Sequence, residues 1–234
     1  MNDTGINDTD TRPPRGWDPV WERIYRERAW GRYPPEEVIR FVASSFYNAP
    51  DRAAVRILDL GCGPGSGTSW FVAREGFGLT GIDAAPAAIE QARRRFAEES
   101  LRGEFVLGPV HDLPFPENAF DAVIDVACLM CSDEEEARVI VSEVRRVLKP
   151  GGVHFSLTPT SGCWGDGTGT RIDRTTLAAA SEGPFANMGR TRFATRESLE
   201  ALYAGFLDLR LERSMRTAEG GTREITHWIV TCRK

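Results

Sequence analysis

The chain has 234 residues, of which 41% are hydrophobic and 27% are charged, and its formal net charge is −5. This size favours one α/β domain with insertions over two independent domains. The acidic balance argues against a general electrostatic grip on nucleic acid. No apolar run reaches the roughly 20 residues that a membrane-spanning helix needs. The polar N-terminus predicts no signal peptide. The five cysteines of such a chain are therefore expected to be reduced thiols in the cytoplasm.

The N-terminal part divides into a polar tail and an aromatic segment. Residues 1–16 are polar and acidic, and they predict a disordered tail. Helices are predicted over residues 20–30 and 36–46, because apolar residues recur there at helical spacing. We therefore expect residues 17–50 to form a helical lid on a single domain that spans residues 17–234.

From residue 55 onward, short apolar runs alternate with longer amphipathic stretches. The predicted strands cover residues 55–60, 78–82, 104–107, 120–126 and 153–157. The predicted helices between them cover residues 66–75, 86–98 and 132–148, the last opened by a capping box at Ser132 and Glu135. Such alternation is typical of parallel βαβ units with right-handed crossovers.

The last third of the chain has a different pattern. Residues 158–194 are irregular at first and predict an insertion on the acceptor side, with a helix at 175–181. A further helix is predicted at residues 195–205. Two strands then close the chain, at residues 207–213 and 224–232, and such a pair suits a mixed sheet with one antiparallel member.

The first predicted βα turn is rich in glycine. The run Asp59-Leu60-Gly61-Cys62-Gly63-Pro64-Gly65 follows a buried strand and precedes a helix, and glycines there let the backbone approach a ligand without a Cβ in the way. Asp83 ends the second predicted strand, about 20 positions further on, where an acid accepts hydrogen bonds from ribose hydroxyls. Together these features indicate a cofactor that contains adenosine.

A nicotinamide dinucleotide fits this turn poorly. The fingerprint Gly-x-Gly-x-x-Gly/Ala needs a third small residue, and that position falls on Ser66 or Thr68. In addition, Asp59 would repel a pyrophosphate, whereas it suits the ammonium of an aminoacyl group. A nicotinamide-dependent oxidoreductase is therefore the less favoured alternative.

Five motifs in chain order resemble the class I S-adenosylmethionine-dependent methyltransferase family. They are Ile57-Leu58-Asp59-Leu60-Gly61-Cys62-Gly63-Pro64-Gly65, Gly81-Ile82-Asp83, Asp112-Leu113-Pro114-Phe115, Phe120-Asp121-Ala122-Val123 and Val147-Leu148-Lys149-Pro150-Gly151-Gly152. The resemblance covers residues 55–157. It implies a Rossmann-like α/β fold whose seven-stranded, mostly parallel sheet has the order 3-2-1-4-5-7-6, with the last strand antiparallel and helices on both faces. It also implies S-adenosyl-L-methionine as the cofactor.

The resemblance also implies a set of cofactor contacts. They fall on Asp59, Gly61, Cys62, Gly63, Gly65, Asp83, Ala84, Asp112, Leu113 and Asp125. Asp59 and Gly61 are expected near the methionine moiety and Asp83 on the ribose. Asp112 and Leu113 are expected at the adenine, and Asp125 is expected to face the methyl-transfer region. One departure is Ala85, where a serine often caps the second helix; Pro86 at the first helical position partly compensates for it.

Methyl transfer from a sulfonium is an in-line displacement, so alignment supplies much of its rate and no catalytic triad is needed. The candidate catalytic residues are His111, His227 and Asp125, because each is predicted near the carboxyl edge of the sheet. For the two histidines, a structural role is the default interpretation. His154 starts a strand and is predicted at the opposite edge.

The acceptor pocket is predicted from the N-terminal segment and from the loops at residues 160–171 and 183–192. Its candidate contacts are Tyr25, Trp30, Arg32, Tyr33, Trp164, Asp166, Arg171 and Arg190. This polar mix favours a small polar acceptor, such as a sugar or a specialised metabolite, methylated on oxygen or nitrogen. The N-terminal aromatic residues either shield the sulfonium as a lid or pack their helix onto the domain, and both interpretations stay open.

Cys128 and Cys131 form a Cys-x-x-Cys pair, but zinc needs two further ligands and no second pair follows. We expect small apolar fillers and no metal. The expected partners are a small-molecule acceptor and, for assembly, a second copy of the chain, with no nucleic acid or membrane. Two alternatives remain: a regulatory protein that binds S-adenosylmethionine without turnover, and a methyltransferase that acts on a macromolecule.

Overall fold

The computed structural model describes residues 18–234, so the predicted disordered tail (residues 1–16) lies outside the described residues. The helices in this range are α1 (Val20–Glu27), α2 (Glu36–Phe46), α3 (Thr68–Arg74), α4 (Pro86–Glu98), α5 (Glu134–Val147) and α6 (Arg196–Leu202). The strands are β1 (Arg56–Leu60), β2 (Gly78–Asp83), β3 (Glu104–Leu107), β4 (Phe120–Val126), β5 (Leu148–Pro159), β6 (Thr170–Arg171), β7 (Thr176–Ala178), β8 (Arg190–Arg192), β9 (Leu207–Ala218) and β10 (Arg223–Arg233). None of these helices has the length and apolar character needed to cross a membrane.

The main sheet has the strand order β3-β2-β1-β4-β5-β10-β9. Its first five strands pair in parallel, and β10 is antiparallel to both β5 and β9. Because β6, β7 and β8 form a separate small sheet, β10 and β9 are the seventh and sixth strands of the main sheet. The predicted order 3-2-1-4-5-7-6 and its antiparallel last strand are therefore confirmed.

Strand β1 lies at the centre of the fold and is buried on both faces. Leu58 and Leu60 pack in the hydrophobic cluster that contains α5, whereas Ile57 packs in the cluster that contains α2, α3 and α4. A parallel strand covered on both faces carries a nearly continuous apolar run. The carboxyl ends of β1, β2 and β4 consequently meet at one edge of the sheet, between the two helical layers.

The N-terminal helix α1 supplies the cap that α4 lacks. Ala85 occupies the N-cap position of α4 and has no side chain to cap it. Instead, Glu22 Oε2 of α1 accepts a hydrogen bond from Ala87 N at 3.0 Å. Gln91 Nε2 of α4 donates to Tyr25 O at 2.6 Å. These two hydrogen bonds fix α1 against the first turns of α4.

The variant Glu22→Ala is expected to lower the free energy of unfolding by about 1 kcal/mol, the usual cost of losing a helix cap. Chemical denaturation measures the change. The control is Glu90→Ala, which removes an exposed glutamate of α4 and is expected to change stability by less than about 0.5 kcal/mol. Equal losses in the two variants would contradict a capping role for Glu22.

The predicted helix over residues 175–181 is wrong, because Thr176–Ala178 is strand β7. Asp173 Oδ1 accepts hydrogen bonds from Thr175 N at 2.8 Å and from Thr176 N at 2.7 Å. This side chain therefore replaces the carbonyls that a helix would offer to those amides. Threonine, being β-branched, also favours an extended backbone.

The predicted capping box at Ser132 and Glu135 is wrong by one residue. Asp133 Oδ1 accepts from Glu136 N at 2.9 Å, and Asp133 N donates to Glu136 Oε2 at 3.3 Å, which completes the box. The Ser132 hydroxyl instead donates to Leu129 O at 2.6 Å. It thereby closes the 3₁₀ turn that follows β4.

Candidate active site

A cavity of about 390 Å³ opens where β1, β2 and β4 end. One part of its lining is the glycine turn after β1, together with Asp83 and Ala84 after β2. A second part comes from the N-terminal segment, which includes α1. The third part is the turn after β4 together with residues of the small-sheet region.

The glycine turn is held against β2 and approaches the turn after β4. Cys62 N donates to Ile82 O at 2.9 Å. Gly61 has a φ of +68°, and a Cβ at this position would lie 2.5 Å from both Cβ and Sγ of Cys128. Since real Cβ atoms do not approach other atoms so closely, only glycine fits this position.

The Asp83 carboxylate organises the turn from the end of β2. Its Oδ2 accepts from Gly63 N and its Oδ1 from Ala85 N, both at 2.9 Å. Burial raises the pKa of Asp83 to about 6, although these backbone donors act in the opposite direction. Each carboxylate oxygen has a second lone pair, so the group is able to accept further hydrogen bonds from a ligand.

Asp59 is a second buried carboxylate on the cavity wall. The Ser69 hydroxyl donates to its Oδ2 at 2.5 Å. Burial raises the pKa of Asp59 to about 7, and the nearby carboxylate of Asp125 adds to the shift. A cationic ligand in the cavity would favour the ionised form and offset this cost of burial.

Three aromatic residues of the N-terminal segment pack on one another and also line the cavity. The ring centroids of Trp21 and Tyr25 are 5.6 Å apart, and those of Tyr25 and Trp30 are 5.4 Å apart. The Tyr25 hydroxyl lies 3.2 Å from the position that a Cβ would take at Gly63. Trp30 Nε1 is buried without a hydrogen-bond partner among the described residues. The three rings therefore pack as one of the two interpretations predicts, and the shielding of a sulfonium stays a prediction.

A family model described as a methyltransferase domain matches residues 57–152, which include the glycine turn, Asp83 and the whole of β4. Residues 57–152 therefore form a methyltransferase domain.

Curated relatives match half of this chain or less. The chain is similar to a fatty-acid O-methyltransferase of Mycolicibacterium smegmatis, with 36% identity over 121 residues that cover 50% of this chain and 43% of the relative. It is also similar to a demethylmenaquinone methyltransferase of Tropheryma whipplei, with 38% identity over 101 residues that cover 43% of this chain and 40% of the relative. The chain thus spans less than half the length of these relatives.

Solved structures share the fold over most of the chain. A S-adenosylmethionine-dependent methyltransferase from Methanosarcina mazei has a TM-score of 0.64 at 23% identity, covering 76% of this chain and 92% of that one. The 1,6-didemethyltoxoflavin-N1-methyltransferase of Burkholderia thailandensis, which holds S-adenosylhomocysteine, has a TM-score of 0.61 at 17% identity, covering 97% and 92%. At these identities the likeness concerns the fold.

The residues of the methyltransferase domain fit S-adenosylmethionine. Three features line one cavity. They are a glycine turn that has no room for a Cβ, two buried carboxylates with raised pKa values, and the Trp30 side chain, whose Nε1 has no hydrogen-bond partner among the described residues. A ligand with an ammonium, a sulfonium and two ribose hydroxyls supplies positive charge and donors to these carboxylates. Asp59, Gly61, Gly63 and Asp83 would hold it.

Most of the predicted cofactor contacts line the cavity of the methyltransferase domain, namely Asp59, Gly61, Cys62, Gly63, Asp83 and Ala84. Gly65 instead packs against α4, where a Cβ would lie 2.9 Å from Ala92 Cβ. Asp112 is exposed, and Leu113 is buried with its backbone N bound to Glu143 Oε2 at 2.9 Å. Val110 lines the cavity from the loop that carries them.

The structure gives Asp125 an internal role. Its Oδ1 accepts from Cys128 N at 2.8 Å and from Leu129 N at 3.1 Å, and its Oδ2 accepts from the Ser156 hydroxyl at 2.5 Å. The carboxylate is fully buried and does not line the cavity. Asp125 therefore anchors the turn after β4, which itself forms part of the cavity wall.

The two candidate histidines also lie outside the cavity lining. His111 is half-buried, and its Nδ1 has no hydrogen-bond partner among the described residues. His227 packs edge-on against Phe185, which does line the cavity, with ring centroids 6.0 Å apart. Burial lowers the pKa of His227. His154 is fully buried within β5, where burial lowers its pKa to about 4.

Of the predicted acceptor contacts, Tyr25, Trp30 and Tyr33 line the cavity. Two of the predicted arginines have carboxylate partners elsewhere: Arg32 pairs with Glu99 at 3.0 Å, and Arg190 pairs with Glu136 at 2.7 Å. Charge pairing of this kind explains why neither guanidinium turns toward the cavity.

The remaining predicted contacts stabilise the insertion itself. Asp166 Oδ2 accepts from Gly162 N at 2.9 Å, and Arg171 Nη1 donates to Arg174 O at 2.8 Å. The Arg223 guanidinium lies over the Trp164 ring, with Arg223 Cζ 5.8 Å from the ring centroid. None of the three predicted residues lines the cavity.

Sequence reasoning missed the apolar residues that line the cavity beyond the turn after β4. They are Met130, Cys131, Phe185 and Met188, joined by Asp18 before α1. The Cys-x-x-Cys pattern placed directly after β4 was a usable signal, because ligands bind at that edge of the sheet. Within residues 18–234, no group of three side chains is arranged to hold a metal ion.

Proposed function

We propose that this chain transfers a methyl group from S-adenosylmethionine to oxygen or nitrogen of a small-molecule acceptor. One observation carries the proposal: two buried carboxylates, Asp59 and Asp83, line the same cavity as a glycine turn that excludes a Cβ. The chain matches only part of its relatives, so the activity is inferred from this cavity together with the domain family. The five free cysteines support a reduced, cytoplasmic setting.

S-adenosylmethionine supplies an electrophilic methyl group on a sulfonium. The lone pair of the acceptor forms the new bond to the methyl carbon, the carbon–sulfur bond breaks with its electron pair moving to sulfur, and the acceptor proton passes to water. The described lining residues include no histidine. The protein's contribution is therefore alignment of the acceptor and the methyl group in a cavity that Trp21, Tyr25 and Trp30 help to line.

Calorimetric titration with S-adenosylmethionine, S-adenosylhomocysteine and NAD tests the cofactor assignment. We expect the first two to bind and NAD to fail, and binding of NAD alone would contradict the proposal. Release of S-adenosylhomocysteine is then measured across classes of small acceptors. Cofactor binding without release in any class would favour the regulatory alternative, and release only with a protein or nucleic acid would favour a macromolecular acceptor.

The variant Asp83→Ala is expected to weaken S-adenosylmethionine binding by about 1 to 3 kcal/mol, because a buried charged acceptor for hydroxyl groups is lost. Calorimetry on the folded variant measures the effect. The matched control is Asp121→Ala. Asp121 also accepts a hydrogen bond from a backbone N–H, that of Arg56 at 2.8 Å. It lies near the start of β4, at the edge of the sheet opposite to the cavity. Equal affinities for wild type and Asp83→Ala would contradict the ribose assignment.

A further inference from the structure

One wall of the cavity is continuous with an apolar cluster of the small-sheet region. We call Ala127, Met130, Cys131, Phe185 and Met188 the distal wall. Met130 and Phe185 belong to this cluster, and the other three residues pack against it. None of the five carries a charge at neutral pH. A wall of this kind favours an apolar body, and two methionines allow it to adapt to the shape of a ligand.

The charged side chains that line the cavity have one sign. Among the described residues that line it, the charged side chains are Asp18, Asp59 and Asp83, with no lysine, arginine or histidine. Arg192 approaches from behind the turn after β4, but its Nη2 donates to Leu129 O at 3.4 Å and its side chain is buried outside the lining. An anionic acceptor would therefore be desolvated beside carboxylates, and the lining holds no cation to pair with it, because the nearby Arg190 guanidinium pairs with Glu136 outside the lining.

Asp18 is the carboxylate that the cofactor cradle does not use. Its Oδ1 accepts from Val20 N at 3.0 Å, at the start of α1. Its Oδ2 lies against Gly189, where a Cβ would overlap it, one residue from Met188 of the distal wall. Burial, followed by the carboxylates of Asp125 and Asp18, raises the pKa of the Cys131 thiol to about 12, whereas the Arg190 guanidinium, which pairs with Glu136, acts in the opposite direction. Asp18 thus places negative charge beside the distal wall.

We propose that the acceptor is a small amine with an apolar body, which packs on the distal wall while its ammonium faces Asp18 and a separate atom with a free lone pair, such as a hydroxyl oxygen, receives the methyl group. Acceptors with a carboxylate or phosphate at that end are rejected. The proposal rests on the proposed function, because it assigns the acceptor of the same cavity. It also replaces the expected polar, sugar-like acceptor, whose predicted charged contacts lie outside the lining.

Three phenols that share a ring and a hydroxyl test the charge preference: tyramine is cationic, p-cresol is neutral and p-hydroxyphenylacetate is anionic. Binding to protein saturated with S-adenosylhomocysteine is measured by ligand-observed NMR. Tyramine is expected to bind most tightly, and about tenfold more tightly than p-hydroxyphenylacetate. Equal or tighter binding of the anion overturns the proposal, as does a failure of both tyramine and p-cresol to bind.

The variant Asp18→Asn removes the charge and keeps a side chain that caps α1 equally well. It is expected to weaken tyramine binding about tenfold and to leave p-cresol binding within about twofold. The matched control is Asp51→Asn. Asp51 likewise accepts from a backbone N–H two residues on, that of Ala53 at 2.9 Å, and it lies outside the cavity. Unchanged tyramine affinity in Asp18→Asn overturns the role of Asp18.

Calorimetry with S-adenosylhomocysteine precedes each NMR series and sets the saturating concentration. Failure of the wild-type protein to bind S-adenosylhomocysteine contradicts the proposed function itself. Binding of S-adenosylhomocysteine combined with a preference for the anionic phenol contradicts only the acceptor class. The two failures are therefore distinguishable.

Discussion

Replacing Gly61 with alanine is expected to destabilise the protein by about 2 to 4 kcal/mol and to reduce S-adenosylmethionine affinity at least about 100-fold. Two costs add. The backbone at Gly61 has a φ of +68°, which strains any residue with a Cβ, and the new Cβ would lie 2.5 Å from Cβ and Sγ of Cys128. Relief of that overlap must displace the glycine turn or the turn after β4, and both form the cavity.

Urea denaturation and calorimetry measure the two effects. The control is Gly76→Ala, at a φ of +85° with nothing within 4 Å of the new Cβ. It isolates the backbone strain, so we expect a loss of about 1 kcal/mol and no change in cofactor affinity. The double variant Gly61→Ala/Cys128→Gly removes both overlapping atoms and is expected to recover part of the affinity. Similar affinities for Gly61→Ala and Gly76→Ala would contradict the close-approach role of Gly61.

The order of the main sheet was predictable because its determinants are local in sequence. Helix α2 has the predicted limits of residues 36 and 46, and β4 has the predicted limits of residues 120 and 126. Each of these elements is buried along a continuous face, so its apolar pattern is regular. In residues 175–181, Thr176, Leu177 and Ala180 are buried at a spacing that also suits a helix, and there the Asp173 carboxylate decides the backbone instead.

The two sides of the candidate site differ in the same way. The glycine turn and Asp83 lie on consecutive strands, and the strand pattern alone brings them together. The distal wall joins Met130 to Phe185 and Met188 across more than 50 residues, through a small sheet that the sequence did not predict. The sequence predicted polar side chains of that region as acceptor contacts. In the structure Arg190 instead pairs with Glu136, and Asp166 accepts a hydrogen bond from Gly162 N. Local sequence therefore predicted most of the cofactor side, whereas on the acceptor side it predicted the N-terminal aromatic residues and the loop at 183–192 but not the apolar side chains of that loop.

The affinity for S-adenosylmethionine is expected to fall as the pH is lowered from 8 toward 5.5. Burial raises the pKa of Asp59 to about 7 and that of Asp83 to about 6. A cationic ligand binds the ionised carboxylate, so protonation of Asp59 competes with it. Well below its pKa, one such group weakens binding by about tenfold for each pH unit. Calorimetry at several pH values, in two buffers of different ionisation enthalpy, measures both the affinity and the protons released on binding.

The stability of the unliganded protein depends on the protonation of Asp59 in the opposite direction: the contribution of Asp59 to the free energy of unfolding is expected to rise as the pH falls. Its pKa is raised on folding, so the folded state holds the proton more tightly than the unfolded chain does. This contribution to stability is present below about pH 4 and is lost as the pH rises toward 7.

The variant Asp59→Asn fixes an uncharged side chain. It is expected to bind S-adenosylmethionine weakly already at pH 8, with little further loss until Asp83 is protonated near pH 6. An affinity that holds or rises as the wild-type protein is acidified would contradict an ionised Asp59 in the complex.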